Sequence, residues 1–344
     1  MGSALIPLPS QPPGVAWPTR SWPHGAGAPA AIAPLAAEAF NRQPHPELGE
    51  TQGLVIVRGG RLIYEQYGDG LGPEASCRSW SMAKSITHAL VGIAVADGLI
   101  DIHAPADVPA WRSTGDARGA ITMDHLLRMS SGLGWIEDYE PGHPSDVVEM
   151  LFGEGKDDVA AFAAAKPLTH TPGERFYYSS GTTNIICAVL ARALNLKGQG
   201  VETFMRERLF APLGMASAAP RFDATGTFIG SSYCFCTPRD FARFGLLYLR
   251  DGIWEGRRLL PPGWVDYART PTFQQPGGEI DGPYGAHWWL DRAGEGSFSA
   301  CGYEGQHIAI WPDRDLIIVR NGVTPLSSVS SARDWVAKLA EAFA

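Results

Sequence analysis

The sequence predicts an α+β fold in which strands come from both ends of the chain and helices from its middle. Near the N-terminus, Gly53–Arg58 and Arg61–Tyr67 are rich in β-forming residues and flank Gly59-Gly60, which indicates a two-residue hairpin. Short apolar runs bounded by turn residues return towards the C-terminus, and they are Gly285–Leu290, Gly305–Trp311 and Leu316–Arg320. Helical patterns occupy the region between these two groups of strands.

Apolar residues at helical spacing predict the remaining elements. An alanine-rich segment over 28–42 has this spacing, and Ser81–Gly98 is apolar on most faces, as a buried central helix is. Thr237 is the expected N-cap of a helix over Pro238–Leu249, because proline is well tolerated at the first helical position. Further helices are predicted at Met123–Met129, Ser145–Leu151, Asp157–Ala165, Gly181–Ala193, Val201–Leu209 and Ser330–Phe343.

The order of these elements predicts three regions. Residues 1–27 are rich in proline and form an extended arm on the surface. Residues 28–75 and 250–344 together form an α/β lobe, and residues 76–249 form a mostly helical lobe inserted into it. We expect the active site in the cleft between the lobes, because ligand sites favour such interfaces.

Composition excludes several classes of function. The chain has 344 residues, of which 45% are hydrophobic and 19% charged, which is typical of a globular protein with a large core. A formal net charge of -8 leaves no basic footprint for nucleic acid. No stretch approaches the roughly 20 apolar residues that cross a bilayer, and the N-terminus lacks the pattern of a signal peptide. We therefore expect a cytoplasmic protein with no membrane or nucleic-acid partner.

The five cysteines are scattered along the chain, which favours reduced packing residues and lacks the ligand spacing of a structural zinc site. The sequence also has no phosphate loop, no dinucleotide fingerprint and no Gly-x-Ser-x-Gly elbow. We expect neither a metal nor a cofactor.

Ser81-Met82-Ala83-Lys84 carries the clearest chemical signal. Of the five lysines in the chain, only Lys84 has a serine three residues upstream, and on a helix such a pair shares one face. A neutral lysine can take the proton of the serine hydroxyl and activate it as a nucleophile. The alternative is an exposed lysine above a helix-capping serine, and the tetrapeptide alone does not separate the two.

A second motif favours catalysis. Pro172-Gly173, four residues and then Tyr178-Ser179-Ser180 resemble a loop of class C β-lactamases and penicillin-recognising serine hydrolases, where Pro-Gly precedes Tyr-x-Asn. The resemblance implies that Tyr178 relays a proton between nucleophile and leaving group. Ser180 replaces the asparagine, whose substrate contacts a shorter side chain does not reproduce. The implied fold is β-lactamase-like, with an antiparallel sheet flanked by terminal helices and a mostly helical lobe inserted.

The third element of that family is Lys-Thr-Gly on an edge strand, and Ala300-Cys301-Gly302 occupies its place here. Gly302 retains the residue that allows close approach. Ala300 removes the cation that holds substrate carboxylates in the family, which favours neutral esters or amides. By the same resemblance, the backbone N–H groups of Ser81 and Tyr303 form the oxyanion hole.

Within that family the chain resembles carboxylesterases of this fold and 6-aminohexanoate-dimer hydrolases in the texture of its sequence. In the hydrolases a pocket tyrosine contacts the scissile amide, and Trp135-Ile136-Glu137-Asp138-Tyr139 is the matching stretch. Trp135 and Tyr139 are therefore candidate substrate-binding residues, and Ser180 and Gly302 of the two family motifs are further ones. Tyr139 is equally compatible with a loop aromatic.

The sequence thus predicts a serine hydrolase that cleaves a small carboxylic ester through an acyl-enzyme, with Ser81, Lys84 and Tyr178 as catalytic residues. An amidase is the alternative activity. A non-catalytic ligand-binding protein of the same fold is the alternative from another class, favoured by Ala300 and Ser180. The partner is a small molecule, and the sequence leaves the oligomeric state open.

Overall fold

The computed structural model of the chain describes residues 5–41, 44–272 and 283–344. Positions 1–4 of the predicted arm, Arg42 of the predicted first helix and positions 273–282 of the predicted α/β lobe lie outside these ranges. Within them the predicted α+β fold is confirmed, because six strands form one antiparallel sheet with helices packed against it. The boundaries of the two lobes stay a prediction.

Strands from both ends of the chain meet in the central sheet. Numbered along the chain, the strands are β1 Glu50–Arg58, β2 Arg61–Tyr67, β3 Ala219–Pro220, β4 Cys234–Phe235, β5 Ile253–Trp254, β6 Arg257–Arg258, β7 Trp289–Leu290, β8 Phe298–Gly302, β9 Gln306–Trp311 and β10 Leu316–Val323. The sheet has the order β2-β1-β10-β9-β8-β7, while β3 pairs with β4 and β5 pairs with β6.

The predicted hairpin connects β1 and β2. Gly59 and Gly60 have φ angles of 57° and 69°, the left-handed conformation that a type I′ hairpin turn requires at both central positions. Beyond the turn, alternate β1 residues face opposite sides of the sheet. Leu54 packs into a core that contains residues of the first and last helices, and Val55 packs into the larger core on the other side.

The helices cover both faces of this sheet and fill the middle of the chain. They are α1 Ile32–Phe40, α2 Met82–Ala96, α3 Met123–Leu127, α4 Asp146–Phe152, α5 Val159–Ala164, α6 Ser180–Ala193, α7 Gln199–Met205, α8 Ala211–Leu213, α9 Pro238–Leu249, α10 Trp264–Ala268 and α11 Val329–Glu341. Each predicted helix is present, with ends shifted by a few residues, and α9 has the predicted Thr237 N-cap. Across the ranges that the structure describes, no helix has the length and apolar character needed to cross a membrane.

Burial of α2 agrees with the predicted central helix. All of its residues from Met82 to Ala94 are buried, including Lys84. Its apolar side chains belong to the same core as Val55, Val57 and the buried face of α9. The N-terminal turn of α2 lies against the end of β8, so the sheet and the central helix meet at Ser81.

The predicted strand over Gly285–Leu290 is wrong for most of its length, because only Trp289–Leu290 pairs with the sheet. The amides of Ala286 and His287 donate to carbonyls of Ala268 and Leu127 instead. The short β7 also changes the position of β8, which lies between β7 and β9 and is not a free edge strand as the resemblance implied.

Candidate active site

Ser81 lies immediately before α2, at a sharp turn. The preceding residue, Trp80, has φ 43°, a left-handed conformation that non-glycine residues adopt rarely and that is often found at functional sites. The amides of Met82, Ala83 and Lys84 donate to the carbonyls of Ser79, Trp80 and Ser81. Among the described residues no backbone hydrogen bond uses the Ser81 N–H, so this amide is available to an anion.

Lys84 lies one helical turn after Ser81 and is 1% exposed. Its Nζ lies 3.0 Å from Ser81 Oγ, 2.9 Å from Ser180 Oγ and 2.9 Å from the Ser231 carbonyl oxygen. Burial lowers the pKa of Lys84 to about 8, and the negative charge of Glu137 acts in the opposite direction. About a fifth of this amine is therefore neutral near physiological pH, and only this neutral form can act as a general base.

Tyr178 is buried on the other side of the amine. The Lys84 Nζ lies 4.9 Å from the centroid of the Tyr178 ring, and Trp289 stacks on that ring at 5.3 Å. Burial and the charge of Glu137 raise the pKa of Tyr178, while its hydrogen bond with Ser81 lowers it. The phenol keeps its proton at neutral pH, so of the two groups Lys84 is the one able to accept a proton and Tyr178 the one able to donate one.

The turn after β8 packs against the turn that contains Ser79, Trp80 and Ser81. A Cβ atom on Gly302 would lie 2.4 Å from the Ser79 carbonyl oxygen, so only glycine allows this approach. The Trp80 indole donates to Glu304 at 2.6 Å, and the rings of Trp80 and Tyr303 meet edge to face at 5.6 Å. These contacts hold Gly302 and Tyr303 against the Ser79–Trp80 turn, and Ser81 and Tyr303 line the same cleft. The oxyanion hole at these two residues stays a prediction.

Ser81 and Tyr178 open onto a cleft of about 320 Å³. Tyr139, predicted to bind substrate, lines this cleft and stacks on Tyr303 at 5.0 Å. The cleft is lined by Ser81, Glu137, Tyr139, Tyr178, Trp289, Arg292, Cys301, Gly302, Tyr303, Gly305, His307, Leu326, Val329 and Arg333. A larger cavity of about 810 Å³ beside α6 contains none of the predicted site residues.

Two predicted substrate-binding residues lie behind the cleft. Trp135 is 5% exposed, and its ring packs so closely on Gly181 that a Cβ there would lie 2.5 Å from the ring. Ser180 is 1% exposed and contacts Lys84. The structure therefore places Trp135 in the core and Ser180 beside Lys84, and neither residue is among those that line the cleft.

Sequence reasoning missed two features of the cleft. Arg292 and Arg333 are among the residues that line it, in segments other than the one where the resemblance puts a cation. Glu137 accepts hydrogen bonds from Trp135, Tyr139 and Ser180, and lies within the stretch that nominated Tyr139. The partners Trp135 and Tyr139 are near in the chain, but the contact of Glu137 with Ser180 spans 43 residues and no local pattern predicts it.

His287 and His307 are buried histidines close to the cleft. Burial lowers the pKa values of His287 and His307 to about 3, which keeps both rings neutral. Over residues 5–41, 44–272 and 283–344 there is no group of three or more His, Cys, Asp or Glu side chains placed to hold a metal ion.

Comparison with known proteins identifies the family. The family model described as Beta-lactamase matches residues 47–341. The chain belongs to the β-lactamase family. The predicted resemblance is therefore confirmed, and this β-lactamase-family protein is a hydrolase of the serine type.

Relatives of this β-lactamase-family protein include the 6-aminohexanoate-dimer hydrolase of Paenarthrobacter ureafaciens, which is 24% identical over 290 residues, 78% of this chain and 72% of that protein. A solved structure from Bacillus anthracis, assigned provisionally as a 6-aminohexanoate-dimer hydrolase, has a TM-score of 0.73 at 22% identity and covers 97% of this chain and 90% of its own. The structure of simvastatin synthase from Aspergillus terreus has a TM-score of 0.64 at 18% identity, and the match covers 91% of this chain and 99% of that one. The two structural likenesses show the fold alone.

Proposed function

We propose that this protein hydrolyses a small carboxylic ester through an acyl-enzyme formed on Ser81. The observation that supports this most is the 3.0 Å contact between Ser81 Oγ and the buried amine of Lys84. Burial brings the pKa of that amine to about 8, so that it serves as a general base near neutral pH. No metal or cofactor takes part in the proposed reaction.

Acylation begins when the Ser81 hydroxyl attacks the ester carbonyl and its proton passes to Lys84. The new Oγ–C bond gives a tetrahedral oxyanion, which accepts hydrogen bonds from the N–H groups of Ser81 and Tyr303. The bond to the alcohol then breaks, and the Tyr178 phenol donates its proton to the departing alkoxide. Lys84 returns a proton to Tyr178, which leaves a neutral amine and an acylated serine.

Deacylation repeats these steps with water in place of the alcohol. Water attacks the acyl carbonyl and gives a proton to the Lys84 and Tyr178 pair, and the oxyanion occupies the same two N–H groups. When the bond to Ser81 breaks, the serine oxygen recovers a proton and the carboxylic acid leaves. Losing one donor of such a hole costs about 3 kcal/mol in the barrier.

An amide substrate is the second candidate. The relative from Paenarthrobacter ureafaciens is named a 6-aminohexanoate-dimer hydrolase, and Tyr139 lines the cleft, where the resemblance expects a tyrosine that contacts the amide. The non-catalytic alternative is weaker, because Ser180 retains a hydrogen bond to Lys84 although it replaces the family's asparagine.

A substrate panel tests the proposal. It compares p-nitrophenyl acetate and butyrate, the p-nitroanilides with the same acyl groups, an ester whose acyl chain ends in a carboxylate, and a chromogenic cephalosporin. The carboxylate ester is included because Arg292 and Arg333 line the cleft. We expect the neutral esters to have the highest kcat/KM, at least about 100-fold above the anilides.

The other outcomes of the panel are equally informative. Faster cleavage of the anilides would establish the amidase in place of the esterase. No turnover of any substrate, together with no intact-mass adduct after treatment with an activated phosphonate, would establish the binding protein.

Tyr178→Phe is expected to lower both the acylation and the deacylation rate constants by about 100-fold, because the alkoxide and the serine oxygen lose their proton donor. Stopped-flow measurement of the p-nitrophenol burst and of the steady state separates the two steps. Tyr284→Phe is the matched control, since Tyr284 is 4% exposed and its ring packs edge to face on Tyr178 at 6.0 Å. Burst and steady-state rates equal to those of the wild type would remove Tyr178 from the mechanism.

A further inference from the structure

Glu137 accepts four hydrogen bonds in a network that extends to Lys84. Its Oε1 accepts from Tyr139 Oη and from Ser180 Oγ, both at 2.5 Å. Its Oε2 accepts from Trp135 Nε1 at 2.6 Å and from the Ser180 backbone amide at 2.7 Å. Four donors fill the acceptor sites of one carboxylate, an arrangement that suits its ionised form.

Ser180 connects this carboxylate to the catalytic lysine. Its hydroxyl has a single proton, which it donates to Glu137, so its lone pairs are directed towards Lys84 Nζ at 2.9 Å. Ser180 is also the first residue of α6, a helix of 14 residues, where a carboxylate complements the helix dipole. Glu137 therefore holds the start of α6 and the hydroxyl that Lys84 contacts in one arrangement.

We propose that Glu137 is a positioning residue that acts on Lys84 through Ser180: it orients the Ser180 hydroxyl as an acceptor and stabilises the protonated amine that forms when Ser81 is acylated. The catalytic part of this inference rests on the proposed function. It deepens that function by adding a carboxylate that touches neither the nucleophile nor the reacting carbonyl. In the described parts of the chain the linkage runs Glu137–Ser180–Lys84–Ser81.

The charges around Lys84 support this assignment. The titratable groups that face it within the described ranges are Glu137, Tyr178, Cys187 and His287. Burial raises the pKa values of Tyr178 and Cys187 and lowers that of His287 to about 3, so these three groups are uncharged at neutral pH. Glu137 remains as the neighbour whose negative charge raises the pKa of Lys84 against the effect of burial.

The direct test is the titration of Lys84 by NMR in protein labelled with ¹³C at the lysine ε-carbon. The Lys84 resonance is the one that is missing from Lys84→Met. For the wild type we expect a midpoint at about pH 8. In Glu137→Gln we expect the midpoint to fall by about one pH unit, because removing an opposite charge favours the neutral amine.

Two variants control this measurement. Glu140→Gln makes the same change at an exposed position of the same loop and should leave the midpoint unchanged. Glu137→Asp retains the charge and should keep the midpoint within about 0.3 unit of the wild type, which a purely structural role of Glu137 would not predict. An unmoved midpoint in folded Glu137→Gln, or an equal shift in Glu140→Gln, would overturn the proposal.

A second measurement tests the connection through Ser180 and covers a Glu137→Gln variant that does not fold. Ser180→Ala keeps the carboxylate and removes the linking hydroxyl. We expect its kcat/KM for p-nitrophenyl acetate at high pH to fall about 10-fold by itself, and where Glu137→Gln folds, the double variant should show no further loss. A plateau rate equal to that of the wild type contradicts the linkage.

The two readouts separate this inference from the proposed function. The NMR midpoint does not depend on turnover, so it tests the effect of Glu137 on Lys84 even if esters are not the substrate. If the wild type does not hydrolyse esters but the Lys84 midpoint still falls in Glu137→Gln, only the proposed function is refuted.

Discussion

Ser81→Ala is expected to abolish hydrolysis of p-nitrophenyl acetate, with kcat falling by about four orders of magnitude or more. Without the hydroxyl no acyl-enzyme forms, and the remaining groups of the site bind the ester without attacking it. The burst of p-nitrophenol should disappear, and intact-mass spectra should show no adduct with an activated phosphonate.

The fold should survive this change, because Lys84 retains its contacts with Ser180 and the Ser231 carbonyl. Circular dichroism and thermal unfolding check this, and Ser113→Ala, at an exposed loop position, is the matched control for loss of a serine hydroxyl. Undiminished ester turnover in Ser81→Ala would exclude Ser81 as the nucleophile.

Lys84→Met is expected to have the second largest effect, a loss of about three orders of magnitude in kcat/KM. Methionine is close to lysine in volume but has no basic nitrogen, so Ser81 loses the group that takes its proton. The variant should still bind substrate, because Lys84 is not among the residues that line the cleft. Steady-state kinetics with p-nitrophenyl esters measure the loss.

The pH dependence of kcat/KM tests the same role of Lys84. Lys84 acts as a base only when neutral, so kcat/KM of the wild type should rise about tenfold per pH unit below its pKa of about 8 and level off above it. Lys84→Met should lack this rise. Retained neutral-pH activity in Lys84→Met, or a wild-type profile that is flat from pH 6 to 9, would show that another group is the base.

The lowered pKa of Lys84 also makes the stability of the folded protein depend on pH. The folded pKa of Lys84 lies below its unfolded value of 10.5, so between about pH 8 and 10.5 the unfolded state binds a proton that the native state does not. The wild type should therefore gain stability relative to Lys84→Met as the pH rises through this window.

Much of the fold was predictable because its signals are local. Gly59-Gly60 takes the left-handed conformations that its hairpin needs, and α9 begins after the expected Thr237 cap. Both depend on residues adjacent in the chain. The strand predicted over Gly285–Leu290 failed because Ala286 and His287 donate to carbonyls of Ala268 and Leu127, distant partners that composition does not reveal.

The candidate site divides in the same way. Ser81 and Lys84 were predictable as a pair because a spacing of three residues at a helix start places two side chains on the same face. Tyr178 was found through a motif, and its contact with Lys84 spans two separate elements. Glu137 and the arginines in the cleft wall escaped prediction, since nothing near them in the chain distinguishes them from solvated surface charges.

The sequence by itself determined which groups are able to react: a serine and a lysine one turn apart, a tyrosine in a recognisable loop, and a glycine where two backbones must approach. Only the tertiary structure decided how these groups are arranged and which of them carry charge. Burial shifts the amine towards neutrality and holds the phenol protonated, and the meeting of Glu137 with Ser180 sets the charge beside the base. The physical reason is that desolvation and charge–charge interactions depend on distances in space, which packing sets between residues far apart in the chain.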